Sequence, residues 1–189
     1  MTLLFRIFSN LFKTHKGPKC SECKSVLINS KCPNMDCPQK VASWTIRWAS
    51  CDAANIPALD NNIISKLTNL NLIINPAELY ELSDSDWMNL NVISDNKLKE
   101  IRSQLEQSKK MTMESLLFGF RIEGVDLNTA KILASEFKTI SEIRETKFSK
   151  LKSIQLIDEK NTLNVHRWFR DSFNKKILKI LDSQGFQLD

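Results

Sequence analysis

Four cysteines in two closely spaced pairs are the residues of this sequence best suited to chemistry. They stand as Cys20-Ser-Glu-Cys23 and Cys32-Pro-Asn-Met-Asp-Cys37, with eight residues between the pairs. Zn²⁺ in structural sites takes four ligands tetrahedrally, and each short pair offers two thiolates to one ion. Because four cysteines fill every coordination position, the pattern predicts a structural zinc site rather than a catalytic one.

Disulfide bonds or free thiols are the alternative for these four cysteines. Disulfides need an oxidising compartment, and nothing in the sequence argues for secretion, since Arg6 interrupts the apolar amino terminus and no small-residue cleavage site follows it. The sequence therefore predicts a cytoplasmic protein. The fifth cysteine, Cys51, is predicted to be a small buried residue rather than a ligand.

The motifs of nucleotide-using enzymes are missing from this sequence. It contains 4 glycines in 189 residues, whereas average composition would give about 13. It has no Gly-rich phosphate loop, no Gly-x-Ser-x-Gly turn and no Lys-x-Asp-Gly nucleotidyl-transfer motif. We therefore expect no catalytic residues and no small-molecule substrate.

Beyond residue 50 the apolar residues recur at helical spacing. One example is Ile63, Ile64 and Leu67, and another is Leu98, Ile101 and Leu105. The sequence predicts a mainly α fold, in which a small four-cysteine zinc finger precedes a compact bundle of short helices. The expected divisions are an amphipathic segment at 1–16, the zinc finger at 17–42 and the helical domain at 43–189.

A repeat is visible in the helical part. Four times a short hydrophobic stretch is followed by a tight turn and a second helix, and the stretches start about 32–34 residues apart. The four turns run from Ile56 to Asp60, from Leu90 to Ser94, from Ile122 to Asp126 and from Ile154 to Asp158. This arrangement is typical of helix-hairpin-helix units.

A four-cysteine loop followed by four such units resembles the carboxy-terminal region of bacterial NAD-dependent DNA ligases. The resemblance rests on Cys32-Pro-Asn-Met-Asp-Cys37-Pro38-Gln39, on Ala77-Glu-Leu79-Tyr80-Glu-Leu82 and on Asn128-Thr129-Ala130-Lys131-Ile-Leu-Ala134. It extends from about residue 20 to residue 189. The resemblance implies a structural zinc ion and contact with the minor groove of duplex or nicked DNA, in the setting of DNA repair.

Two departures from that family limit what the resemblance implies. The nucleotidyltransferase and oligonucleotide-binding domains are missing, so this chain alone is not expected to seal nicks. A DNA-binding hairpin normally reads Gly-hydrophobic-Gly, because glycine lets backbone N–H groups approach a phosphate. Only Gly124 keeps the first glycine, and the last glycine is replaced in all four turns, by Asp60, Ser94, Asp126 and Asp158. Each replacement is either a helix cap in a hairpin without a DNA contact or a residual phosphate site.

Basic residues are the remaining candidates for DNA contact. Residues 1–50 contain 8 Lys or Arg against 2 Asp or Glu, which suits a polyanion and equally a solvated surface. Trp44 and Trp48, four residues apart, are predicted to pack in the core rather than to stack on a base or sugar. The expected DNA-binding residues are Lys24, Lys31, Lys40, Arg47, Gly124, Thr129, Lys131, Arg167, Arg170, Lys175 and Lys176.

The first 13 residues resemble nothing in that family. Leu4, Ile7, Phe8 and Leu11 mark one face of a helix. Three interpretations remain open, namely a helix on a membrane surface, a helix that docks on a protein partner, and a segment that folds back over the zinc finger.

Three functional hypotheses follow from the sequence. The first is a non-catalytic, sequence-independent DNA-binding module. The second is a repurposed module that binds a protein or a membrane and has weakened DNA binding. The third is the small subunit of a split DNA ligase, which would need a nucleotidyltransferase chain in trans.

Overall fold

The fold begins with a loop that carries the four cysteines. The computed structural model describes residues 17–189, so the predicted amphipathic segment lies outside the described residues. We refer to residues 17–37 as the cysteine loop. Its extended parts pair through two isolated antiparallel bridges, Lys19 with Val26 and Ile28 with Lys31.

Helices make up most of the chain after the cysteine loop, which confirms the mainly α prediction. In the described residues there are ten α-helices and one 3-10 helix, the latter at Pro76–Tyr80. The α-helices are α1 Pro38–Ala49, α2 Asn61–Asn69, α3 Asp84–Met88, α4 Asp95–Ser108, α5 Met113–Gly119, α6 Leu127–Glu136, α7 Ile140–Glu145, α8 Phe148–Lys152, α9 Glu159–Trp168 and α10 Ser172–Ser183. Helix α1 runs across the expected division between residues 42 and 43.

The helices pair into four units at the places where the sequence repeat predicts them. The first unit is α1 with α2, the second α3 with α4, the third α5 with α6 and the fourth α8 with α9. The 3-10 helix connects the first two units, α7 connects the last two, and α10 follows the fourth unit. In each unit the tight turn therefore ends at the residue directly before the second helix.

One continuous core holds the units together, and Trp48 of α1 lies in it. The Trp48 side chain is 1% exposed and stacks against Phe120, with ring centroids 6.2 Å apart. Its Nε1–H donates to the Tyr80 hydroxyl at 3.2 Å, and that hydroxyl bonds to Ser108 Oγ at 2.7 Å. A buried polar group needs such a partner, so these bonds allow indole and phenol to lie in the core. The packing interpretation of Trp48 is confirmed, and Trp44 is half-buried beside it.

Cys51 is the one residue whose expected burial is wrong. It lies in the turn that follows α1, and its side chain is exposed. The neighbouring Ala53 and Ala54 are buried instead, at 5% and 4% exposure. Within this turn the two alanines pack into the core, while Cys51 faces outward.

Within residues 17–189, no helix combines the length and the apolar character that crossing a membrane requires.

The contact between Gly119 and Trp48 gives a test of the packing around α1. A methyl group added at Gly119 would lie 2.8 Å from Trp48 Cε3. Alanine normally stabilises a helix relative to glycine, but here we expect Gly119→Ala to lower the free energy of unfolding by about 1–3 kcal/mol because the site is overpacked. Urea unfolding measures the change. Lys99→Ala, on an exposed face of α4, is the control and should stay within about 0.5 kcal/mol of wild type; an equally stable Gly119→Ala variant would contradict the packing.

Candidate metal centre and nucleic-acid interface

The cysteine loop is shaped by backbone hydrogen bonds and by residues in left-handed conformation. The Cys20 N–H donates to Ser25 O at 2.8 Å, and Lys24, with φ of 60°, closes the turn between the first two cysteines. Asn29 and Ser30, with φ of 49° and 62°, form the two-residue turn between Ile28 and Lys31. Positive φ at both central residues is the signature of a type I′ hairpin. These turns bring the two cysteine pairs together.

The four sulfur atoms form one cluster. All four Sγ atoms of Cys20, Cys23, Cys32 and Cys37 lie within 4.8 Å of one another. Cys20 and Cys37 are 3.8 Å apart and Cys23 and Cys32 are 3.4 Å apart. A tetrahedral Zn²⁺ with Zn–S bonds of about 2.3 Å needs sulfurs about 3.8 Å apart, whereas a disulfide needs about 2.05 Å. The cluster fits a metal ion and does not fit disulfide bonds.

The thiols of this cluster differ in acidity. Hydrogen bonds with Ser25 lower the pKa of Cys23 to about 6. Desolvation and the hydrogen bond with Cys23 raise the pKa of Cys32 to about 12, and desolvation also raises the pKa of Cys37. The Cys23 thiolate therefore forms readily, while those of Cys32 and Cys37 need a cation beside them, and a bound metal ion would supply that charge.

Each hairpin unit places a side-chain cap at the start of its second helix. In all four turns the residue that replaces the last glycine accepts a hydrogen bond from the backbone N–H three residues further on. The pairs are Asp60 with Ile63 (2.9 Å), Ser94 with Lys97 (3.3 Å), Asp126 with Thr129 (2.7 Å) and Asp158 with Asn161 (2.8 Å). The capping role that the sequence suggested is thus present at every turn.

These caps change what the helix starts can bind. The first N–H groups of a helix have no partner within the helix and attract anions, yet here one of them already bonds to a side chain in each unit. Three of the four caps are carboxylates, and hydrogen bonds from Thr129 lower the pKa of Asp126 further below its usual range. A phosphate approaching the three turns capped by aspartate therefore meets a negative charge.

Gly124, the one hairpin glycine, is required by packing as well as by backbone conformation. Its φ is +80°, and a Cβ at this position would lie 1.7 Å from Asn161 Oδ1. On the same turn, Asn164 Nδ2 donates to Glu123 O at 3.0 Å. The turn of the third unit is therefore covered by the second helix of the fourth unit, and these contacts account for the glycine without a phosphate.

Four of the expected basic residues, Lys24, Lys40, Arg47 and Arg170, donate hydrogen bonds to backbone carbonyls of the protein. Arg47 is held most tightly: it donates to Phe118 O at 2.8 Å and to Val125 O at 2.7 Å, and burial lowers its pKa. In the described part of the chain, the exposed cations that take part in no ion pair include Lys24, Lys31, Lys131, Arg167, Lys175 and Lys176. Thr129, the last expected contact, is half-buried in the first turn of α6.

Arg121 is a residue of this region that the sequence did not single out. It follows α5 in left-handed conformation, with φ of 54°, at a position where glycine is the usual residue. Its guanidinium donates to Lys40 O at 2.8 Å and lies 5.7 Å from the Trp44 ring. No sequence pattern marks an arginine in such a conformation, because both partners lie about eighty residues away along the chain.

Comparison with known proteins supports the hairpin assignment directly. Residues 115–178 match the family described as "Helix-hairpin-helix motif". The matched stretch begins in α5 and ends in α10, so it contains the third and fourth units.

The chain also resembles bacterial DNA ligases over most of its length. It is 30% identical over 175 residues to the DNA ligase of Halalkalibacterium halodurans, covering 89% of this chain and 26% of the ligase. It is 27% identical over 173 residues to the DNA ligase of Thermosipho africanus (92% and 26%) and 24% identical over 182 residues to that of Koribacter versatilis (93% and 27%). The chain spans about a quarter of the length of these relatives. Its similarity to the carboxy-terminal region of bacterial DNA ligases, expected from the sequence, is therefore confirmed.

Proposed function

We propose that this chain is a non-catalytic module that binds duplex or nicked DNA without sequence preference and holds a structural Zn²⁺ in its cysteine loop. The observation that carries the proposal is the tandem of four helix-hairpin-helix units that follow a four-sulfur cluster, in a chain similar to DNA ligases. Contact with phosphates is independent of sequence, so a grip through backbone N–H groups and lysines gives no base preference.

Cys20, Cys23, Cys32 and Cys37 are the proposed zinc ligands. A Zn²⁺ bound there would supply a cross-link between the two ends of the cysteine loop, with no open position for a substrate. The described loop supports reduced, metal-binding cysteines rather than disulfides, which suits a cytoplasmic location.

The proposed module binds DNA but does not join it. Ligation belongs to the whole relatives, of which this chain spans about a quarter. Its sequence has no Lys-x-Asp-Gly motif that could carry an adenylate. We therefore propose DNA binding alone for this chain, with no catalytic residue.

A second candidate function is supported by the capped turns. In each unit the cap residue of the turn already accepts a hydrogen bond from a backbone N–H group of the second helix. The hairpins would therefore be stable without DNA. A hairpin domain of this kind would serve as a platform for a protein or a membrane surface. The experiments on the turns separate the two candidates.

Metal binding is tested by comparing two cysteine variants. We expect wild type and Cys51→Ser to retain one Zn²⁺ per chain and Cys37→Ser to lose it, because Cys37 belongs to the sulfur cluster and Cys51 is exposed elsewhere. Metal analysis after dialysis gives the stoichiometry, and thiolate-to-Co²⁺ charge-transfer absorption after cobalt substitution reports the ligand type. Retention of zinc by Cys37→Ser, or its loss from Cys51→Ser, would contradict the assignment.

DNA binding is tested by its dependence on salt. Fluorescence anisotropy with a nicked duplex should show log K falling linearly with log salt, since cations released from DNA drive the binding. The combined change of Lys175 and Lys176 to Gln should reduce the slope by about 0.9 for each phosphate that is no longer neutralised. Lys99→Gln is the control and should leave the slope unchanged.

Two outcomes would contradict the proposed DNA binding without sequence preference. One is the absence of binding at about 50 mM salt, where phosphate contacts are strong. The other is a large difference in affinity between two nicked duplexes of unrelated sequence, which would contradict the lack of sequence preference.

The turns are tested by removing charge while keeping the caps. Asn at positions 60, 126 and 158 can still accept the capping hydrogen bond, so the triple change Asp60→Asn, Asp126→Asn and Asp158→Asn removes the negative charges and keeps the backbone caps. At position 158 it also removes the acceptor of Asn161 Nδ2. If the turns face DNA, we expect tighter binding to nicked duplex. The charge-matched control is Asp52→Asn, Glu114→Gln and Asp182→Asn, at positions outside the four turns. Equal gains in both triple variants would mean that net charge, and not the turns, governs binding.

A further inference from the structure

We propose that metal binding at the four cysteines orders the turn of the third hairpin unit, residues 122–126, through helix α1, and that Arg47 and Arg121 are the positioning residues. The inference rests on the metal binding proposed above. It adds that the bound metal controls the order of one turn in the proposed DNA-binding region. It is built from three consecutive contacts, each of which joins segments distant in sequence.

The first contact joins the cysteine cluster to the start of α1. Cys37 directly precedes α1 as its N-cap residue, and its carbonyl accepts hydrogen bonds from the N–H groups of Lys40 at 2.8 Å and Val41 at 3.0 Å. The Cys37 side chain makes no capping hydrogen bond. Lys40 Nζ also donates to Cys32 O at 2.6 Å. The first turn of α1 is therefore positioned by two residues of the cluster, and a metal ion that fixes the sulfurs fixes this turn.

The second contact joins α1 to the end of α5. The last carbonyls of a helix lack intrahelical partners, and α1 supplies donors for two of them. Trp44 Nε1 donates to Gly119 O at 2.9 Å, and Arg47 Nε donates to Phe118 O at 2.8 Å. The Arg47 guanidinium also lies 3.9 Å above the Phe118 ring. The direction in which the chain leaves α5 is thus set by α1.

The third contact reaches the turn of the third unit itself. Arg47 Nη2 donates to Val125 O at 2.7 Å, in the residue before the cap Asp126. Arg121 bonds back to Lys40 O in the first turn of α1. The two arginines hold the turn from both of its ends. No other basic side chain in the described residues bonds to this turn's carbonyls.

The conformation of Arg121 argues that its contact with α1 matters. A non-glycine residue at positive φ carries backbone strain, and Asn55, at the matching place in the first unit, is of a type that tolerates such φ values. Arginine has no such tolerance, and its side chain is the one that spans the distance to Lys40 O. The strain persists because the surrounding contacts fix this residue.

Two variants and a control separate positioning from ordinary stabilisation. Arg121→Gly relieves the local strain but removes the bond to α1, and Arg47→Met removes the bonds to Phe118 and Val125. Arg102→Met is the control. Arg102 also donates a hydrogen bond to a backbone carbonyl, that of Leu82 at 2.6 Å, but this contact lies in the second unit. Metal-loaded and chelator-treated full-length chains of each protein are compared by amide hydrogen exchange.

In wild type and in Arg102→Met, we expect removal of the metal to reduce protection of the Val125, Thr129 and Ala130 amides by roughly 5- to 150-fold, the usual range of coupling between sites. The amides of Lys97 and Leu98 in the second unit should change much less. In Arg121→Gly and Arg47→Met, the difference between the two metal states at the third unit should disappear. A purely structural role would instead lower protection equally in both metal states.

Other outcomes overturn the inference. Loss of protection to the same extent in all four units on metal removal would show global unfolding rather than a directed link. A metal-dependent difference that persists in Arg121→Gly would show that the arginine is not the connection. If metal analysis finds no bound zinc in the loaded wild type, the metal proposal itself fails, which is distinct from bound zinc with an unchanged third unit.

Discussion

The backbone N–H groups at the start of each helix need hydrogen-bond acceptors, and the rest of this structure depends on how that need is met. Each of the four units contains a tight turn followed by a helix, and each helix leaves backbone N–H groups unpaired at its start. In a hairpin that holds DNA, a phosphate oxygen can accept from these groups. Here Asp60, Ser94, Asp126 and Asp158 accept instead. The hairpins are complete as protein structure, so any DNA contact must compete with, or lie beside, bonds that the fold already makes.

The periodic features of this molecule were predictable from the sequence, whereas its long-range contacts were not. Cysteine spacing and the repeat of about 32–34 residues reflect local geometry, and the structure confirms the sulfur cluster and the helical units. The roles of Arg47 and Gly124 depend on partners such as Val125 and Asn161 in other units. Cys51 is exposed in the turn that follows the end of α1 at Ala49, and helix ends are the least certain part of any sequence-based assignment.

Arginine chemistry explains how Arg47, one of the expected DNA contacts, also makes several internal bonds. A guanidinium offers five N–H donors in a planar fork, so Arg47 can satisfy two carbonyls and cover an aromatic ring at once. A lysine offers a single ammonium on a flexible stem, and the exposed cations of the chain are mostly lysines. Charge alone therefore does not identify a nucleic-acid contact in this fold.

The position of Cys37 at the start of α1 has a consequence for the energetics of the metal centre. The positive end of the helix dipole lies at its first turn and favours a negative group there, and the backbone N–H groups of Gln39 and Lys40 act against the desolvation that raises the Cys37 pKa. In the folded chain desolvation outweighs these groups, so the Cys37 thiolate depends on a cation beside it. Coupling between two sites is reciprocal. If the bound metal and a ligand on the third turn favour the same position of α1, each raises the affinity for the other by the same factor.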